Sequence, residues 1–163
     1  MQKEFKISNV MAVPKVKKVT INIGIGRIHK DQKAIDRIVH DLELLSGQKP
    51  VFRNAKKSIA SFKMREGVPV GVSVTLRGKR MYDFIDRLVN IALPRSKDFR
   101  GIEQKNFDAA GNLNLGIRES SIFPELNYEN SKDIFSLQVT VTTSAKNRAE
   151  GVVLLKNMGF PIK

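Results

Sequence analysis

The sequence predicts an α+β fold, a two-layer sandwich in which helices cover one face of a mainly antiparallel sheet and leave the other face polar. Three observations carry this. Four stretches alternate strictly between apolar and small polar residues, the period of a half-buried strand. Other stretches repeat apolar residues every three or four positions, the period of a helix with one buried stripe. Turn residues separate them in the order strand, helix, two strands, helix, two strands, helix.

The elements follow in chain order. After an irregular lead-in over 1–14, Val19, Ile21, Ile23 and Ile25 alternate with Thr20, Asn22, Gly24 and Gly26. Asp31 is suited to cap a helix through Leu45, because Ala34, Ile35, Ile38, Val39, Leu42 and Leu45 share a stripe and Gly47 and Pro50 follow. A short strand is expected over 51–55, then a basic segment over 56–64 and a turn at Glu66, Gly67 and Pro69. In the next strand Val70, Val72, Val74 and Leu76 oppose Gly71, Ser73, Thr75 and Arg77, and Gly78 closes it. Met81, Phe84, Ile85, Leu88, Val89 and Ala92 form the clearest helical stripe, which Pro94 is expected to stop. The segment 95–111 has no period and reads as a long basic loop that pairs briefly around Phe107. Leu113, Leu115 and Ile117 then alternate with Asn114, Gly116 and Arg118, and a connector over 122–134 leads to Phe135, Leu137, Val139 and Val141 opposed to Ser136, Gln138, Thr140 and Thr142. Ser144 is expected to cap a last helix to Met158, ended by Gly159 and Pro161.

Composition narrows the chemistry. The 163 residues suit a single domain, 1–163, large enough to bury a core without staples. With no cysteine, disulfide scaffolds, thiolate metal sites and cysteine nucleophiles are excluded, and cytoplasm is the default expectation. A net charge of +13 points to a polyanion, nucleic acid before membrane. No apolar run approaches the roughly twenty residues of a membrane span, and the N-terminus has no apolar signal core. His29 and His40 lack metal-ligand spacing, Gly24-Ile25-Gly26 reads as a tight turn rather than a dinucleotide loop, and no nucleophile elbow occurs. Asp83 and Asp86 belong to a solvated helix face. No catalytic residue, metal, cofactor or small-molecule substrate is therefore expected.

The polar sides of the strands point to a partner. They hold hydroxyls, amides and glycines, with scarcely a long side chain, whereas a merely solvated face would more often carry Lys, Glu and Arg. Short donors and acceptors rimmed by cations suit close approach of a nucleic-acid backbone. Between Pro50 and Arg80 the cations are Arg53, Lys56, Lys57, Lys63, Arg65, Arg77, Lys79 and Arg80, against the single acid Glu66. With no tryptophan and two tyrosines, little can stack single-stranded bases, which favours folded RNA. An RNA-processing enzyme that uses the basic rim for docking and an architectural DNA binder stay open as alternatives on the residues alone. The turn over 63–71 is expected to project, since Met64 and Val68 have no evident place in a core.

Several long motifs carry a family resemblance. SGQKP over 46–50, AKKSIASFKMREGVPVG over 55–71, VTLRGKRMYDFIDRL over 74–88, IALPRSKDFRG over 91–101, GNLNLGI over 111–117 and IFPE over 122–125 resemble the bacterial form of the ribosomal protein L5 family. The resemblance runs over nearly the whole chain from Val13. It implies a structural protein that binds 5S rRNA in the central protuberance of the large subunit, beside 23S rRNA and neighbouring proteins, touching peptidyl-site tRNA and the small-subunit head. By position it carries RNA contacts onto Asn22, Gln48, Thr75 and Arg77, and the tRNA contact onto Lys63, Met64, Arg65 and Val68. The basic and small residues Gly24, Lys49, Arg53, Lys56 and Lys57 complete the expected RNA surface. The chain departs from bacterial members in the short stretch before its first strand and in NIGIG over 22–26, where methionine and valine are common.

Overall fold

A computed structural model describes residues 1–5, 7–26, 28, 31–60, 64–97, 99–126 and 134–163. Its fold is α+β, and the described residues form a five-stranded antiparallel sheet and three longer helices. The strands are β1 (Val16–Gly24), β2 (Val51–Asn54), β3 (Pro69–Leu76), β4 (Leu113–Ile117) and β5 (Leu137–Thr143), in the sheet order β2-β3-β1-β5-β4. The helices are α1 (Gln32–Ser46), α2 (Gly78–Arg87) and α3 (Arg148–Asn157). The lead-in is not wholly irregular, for it contains a short helix over Gln2–Phe5 and a 3-10 turn over Val10–Ala12. Close contacts divide the chain into two units, one of 1–20, 76–115 and 139–163, the other of 21–75 and 116–138.

In the second unit, α1 forms where its stripe was expected. The Asp31 carboxylate accepts from Ala34 N–H at 3.1 Å, and Gly47 ends the helix with φ +63°, a conformation costly for any residue with a Cβ. Ile35, Ile38, Leu42 and Leu45 are buried, as are Ile21, Ile23 and Ile25 of the β1 stretch and Val72 and Val74 of β3. β2 pairs antiparallel with β3, Val51 opposite Ser73 and Arg53 opposite Gly71. Ile28 N–H donates to Ile25 C=O at 3.0 Å, the tight turn predicted around Gly26.

In the first unit, α2 buries Met81, Phe84 and Ile85, but Pro94 does not end the helical run. A π-type stretch, Leu88–Ala92, intervenes, and Pro94 sits in a further helical turn, Leu93–Arg95. The wider π turn shifts the carbonyls off the α spacing that would meet the proline ring. The basic loop holds the expected pairing of Phe107, with Leu113, and a second bridge between Ile102 and Ile162. Both Ile102 and Phe107 are buried, so this loop is anchored. Ser144 does not cap the last helix. Its hydroxyl accepts from Lys15 N–H at 2.9 Å, and α3 starts four residues later. Asn147 is the cap, accepting from Glu150 N–H at 2.9 Å, while the Glu150 carboxylate reaches back to Lys146 N–H.

Two details of the first unit bear on its stability. A Cβ on Gly151 would collide with the Gly111 carbonyl oxygen and lie 2.6 Å from its Cα, so helix and turn meet backbone to backbone. Gly151→Ala is expected to destabilise by about 1–3 kcal/mol in chemical denaturation, because overpacking outweighs the helix-propensity gain of roughly 1 kcal/mol. An unchanged or raised midpoint would contradict this. The Asp108 carboxylate accepts from Asn112 N–H at 2.8 Å and from its side-chain amide at 2.7 Å. Partial burial pushes Asp108 up, but these bonds, one from Ala110 N–H and the nearby Arg148 together hold it below its ordinary value. A depressed acid stabilises above its unfolded value of about 3.9 and loses that contribution as pH falls through the folded value. The stability gap between wild type and Asp108→Ala is therefore expected to be full at pH 7 and to close below about pH 4 in thermal melts.

Candidate nucleic-acid interface

Arg53 is a long side chain on the polar face. On the edge strand β2 it lies opposite Gly71, and its Nε–H donates to Ser73 Oγ at 2.8 Å. Gly71 and Ser73 are consequently buried, a correction to the expectation that the whole small-residue face stands open. The cause is an edge-strand arginine whose stem lies over its neighbours on the same face while its head stays near solvent. A Cβ on Gly71 would sit 3.3 Å from the Ile23 carbonyl oxygen, so this glycine serves close strand packing. Asn22 and Gly24 on β1 remain exposed.

Gln48 is held by the end of α1. Buried Ser46 Oγ donates to Leu42 C=O at 2.6 Å and accepts from Gln48 N–H at 3.3 Å, and Gln48 Nε2 donates to the Thr75 carbonyl at 3.4 Å. The turn over 46–50 is thus tied to β3, bringing together two residues that lie 27 apart in sequence. Thr75 is half-buried, and Lys49 and Arg77 are exposed. Arg77 occupies the cap position of α2 without a side-chain capping bond.

The excursion between β2 and β3 closes on itself. Ala55 N–H donates to Val68 C=O, Gly67 N–H to Ala55 C=O, and Ile59 bridges Met64. Lys56, Lys57 and Arg65 are exposed, and Lys63 lies outside the described residues. Met64 and Val68 differ from the expected projecting tip, for both are half-buried, and a Cβ on Gly26 would lie 3.7 Å from Met64 Cε. Among the described residues of this excursion, Ile59 is the exposed large apolar side chain, at 46%.

Electrostatically the surface is one-sided. Among the described residues no carboxylate pairs with Lys49, Arg53, Lys56, Lys57, Arg65 or Arg77. Unpaired cations next to short hydroxyl and amide groups can neutralise phosphates and reach ribose oxygens. The described residues contain no cluster of His, Cys, Asp or Glu able to hold a metal, and no described helix is long and apolar enough to cross a membrane. His40 is exposed, His29 lies outside the described residues, and the Asp86 carboxylate accepts from Asn90 Nδ2 at 2.6 Å. Ser73 went unassigned in the sequence because only the hydrogen bond from Arg53 distinguishes it from other strand hydroxyls.

Comparison with known proteins gives two family matches. Residues 9–65 match a model of ribosomal protein L5, and residues 69–162 match a model of the ribosomal L5 family C-terminus. Among curated proteins, the large ribosomal subunit protein uL5 of Syntrophomonas wolfei is 52% identical over 163 residues, all of this chain and 92% of the relative. The uL5 of Nitrosomonas europaea is 51% identical over all of this chain and 91% of the relative. That of Halothermothrix orenii is 49% identical over 97% of this chain and 88% of the relative.

If the unpaired cations carry binding, log affinity for a structured RNA is expected to fall with log salt by roughly 0.7–0.9 per neutralised phosphate. Arg53→Ala, Lys56→Ala and Lys57→Ala should each flatten the slope by about one such increment in filter-binding titrations. A slope near zero for the wild type would eliminate the electrostatic account.

Proposed function

The chain belongs to the ribosomal protein L5 family, and from that premise we propose that it binds 5S rRNA in the central protuberance of the large ribosomal subunit. Membership makes it a structural ribosomal protein and not an enzyme. The finer reading assigns rRNA contacts to Asn22, Gly24, Gln48, Lys49, Arg53, Lys56, Lys57, Thr75 and Arg77. It assigns contacts with peptidyl-site tRNA to Lys63, Met64, Arg65 and Val68, of which Arg65 is the exposed cation among the described residues. 23S rRNA, neighbouring large-subunit proteins and a protein of the small-subunit head complete the proposed partners, and the assembled ribosome of the cytoplasm is the proposed location.

One observation carries the reading. Small hydrogen-bonding groups on β1 and β3 lie in the same unit as Arg53, Lys56 and Lys57, cations with no described carboxylate partner. That combination suits the closely spaced phosphates and 2′-hydroxyls of folded RNA. The Gln48 link to β3 supports it, because it fixes an amide beside Thr75 instead of leaving it on a free turn.

Tagged protein recovered from cell lysate is expected to carry an RNA of 5S size. Thr75→Arg, which adds bulk at a half-buried position of the polar face, should keep the circular dichroism spectrum and lower 5S rRNA affinity at least about tenfold in gel shifts. Unchanged affinity in the folded variant, or equal competition by duplex DNA, would overturn the proposal, since only RNA presents the 2′-hydroxyl.

A further inference from the structure

We infer that the outer edge of β2 is a docking site for another protein, and that its occupant is an extended acidic segment with apolar residues, which adds to the sheet as a further strand. This surface is independent of the RNA reading. β2 is the end strand of the sheet order, and its described neighbour is β3 alone. Its other side therefore presents backbone N–H and C=O groups with no described partner, a template on which an extended chain can pair.

The side chains of β2 distinguish it from the other strands. No valine, leucine or isoleucine of β1, β4 or β5 is more than 9% exposed, whereas Val51 is 57% and Phe52 44% exposed. The register separates the two. Phe52 lies opposite Val72, whose buried side chain belongs to the apolar side of β3, and Val51 lies opposite Ser73 on the polar side. A ligand lying flat on one side of the sheet covers one of them. A strand added at the edge meets both, because its own side chains alternate in the same way. Leu44 in the last turn of α1 and Ile59 in the excursion are also exposed, so large apolar side chains open to solvent concentrate over 44–59, a mark of protein contact.

Charge selects the occupant. Over 44–65 the sequence has no Asp or Glu, and the exposed cations Lys49, Arg53, Lys56 and Lys57 have no carboxylate partner among the described residues. An incoming strand with Asp or Glu beside its apolar residues supplies that charge, and opposite charges across neighbouring strands attract. A second copy of this chain is disfavoured, since β2 against β2 would set Arg53, Lys56 and Lys57 of both copies together. The short length of β2, Val51–Asn54, and its irregular register between Arg53 and Asn54 also blunt it against self-pairing. RNA can neutralise the cations, but it has no peptide N–H and C=O groups to pair with the strand and no alternating side chains to cover Val51 and Phe52 together.

A capped synthetic peptide, EEVIVDEE, tests this on the full chain, beside its charge-reversed form KKVIVKKK and a form of EEVIVDEE N-methylated at its apolar residues, which removes backbone donors without changing charge. EEVIVDEE is expected to bind at least about tenfold tighter than either control in fluorescence anisotropy, and to slow amide hydrogen exchange at alternate residues of β2. Phe52→Ser, its fold checked by circular dichroism, should lose about tenfold in peptide affinity and keep the 5S rRNA affinity of the wild type. The N-methylated peptide carries the test without a protein variant if Phe52→Ser unfolds. Equal binding of EEVIVDEE and its N-methylated form, with exchange in β2 unchanged, would reduce the contact to charge attraction and overturn the docking strand. So would absence of EEVIVDEE binding, or equal binding of the charge-reversed peptide. Concentration-dependent dimers that Phe52→Ser abolishes in sedimentation would give the edge to a second copy, and loss of 5S rRNA affinity in folded Phe52→Ser would give the ring to RNA. Either result overturns the proposal.

Discussion

The period-two alternation of β1, the middle strand of the sheet, is the constraint on which the rest of the structure depends. Ile21, Ile23 and Ile25 are fully buried, so the residues between them must face the other way. A one-residue slip would exchange the two faces and bury Asn22 while exposing isoleucines. The hydrophobic effect thereby fixes the direction of a polar group that contributes nothing to the core, at roughly 1.5–3 kcal/mol per buried side chain. The small groups available to RNA are positioned by their apolar neighbours.

The polar side differs along its length. In the second unit Asn22, Gly24, Gly116, Ser136 and Gln138 are exposed, whereas in the first unit Thr20, Asn114, Thr140 and Thr142 are half-buried. There Thr140 Oγ1 donates to Asn114 Oδ1 at 2.9 Å, so two of the available groups satisfy each other. The exposed groups lie in the same unit as Lys49, Arg53, Lys56, Lys57 and Arg118. Unpaired charge and accessible hydrogen bonding thus fall in the same part of the chain, and counterion release can add to specific positioning there.

Family membership and physical reading agree at different depths. The matches establish a structural component of the large ribosomal subunit, and the charge and surface chemistry explain why such a protein carries few carboxylates near its small polar groups. Glycine has contrasting uses in this chain. At Gly111 and Gly151 it lets two backbones meet inside the first unit, and at Gly24 and Gly116 it leaves space on the surface. The same residue type marks close internal packing in one place and an uncrowded surface in another.

Much of the fold was legible in the sequence because its causes are local. The isoleucine alternation gave β1, the stripe from Ile35 to Leu45 gave α1, Asp31 announced its cap, and the charge excess announced a polyanion. The motifs from SGQKP to IFPE carried the family. Contacts between distant residues decided the rest. Ser144 and Asn147 are both competent caps by type, and the pairing of Ser144 with Lys15 left that role to Asn147. Gly71 and Ser73 look open in a strand pattern, but the register of β2 lays Arg53 over them. Ile102, Phe107 and Met64 show no usable period, because each lies in irregular backbone joined by an isolated bridge rather than in a regular strand or helix. Periodicity determined which side of each strand is apolar. Which polar groups then stay free depended on neighbouring strands and turns, whose side chains meet them only after the chain has folded.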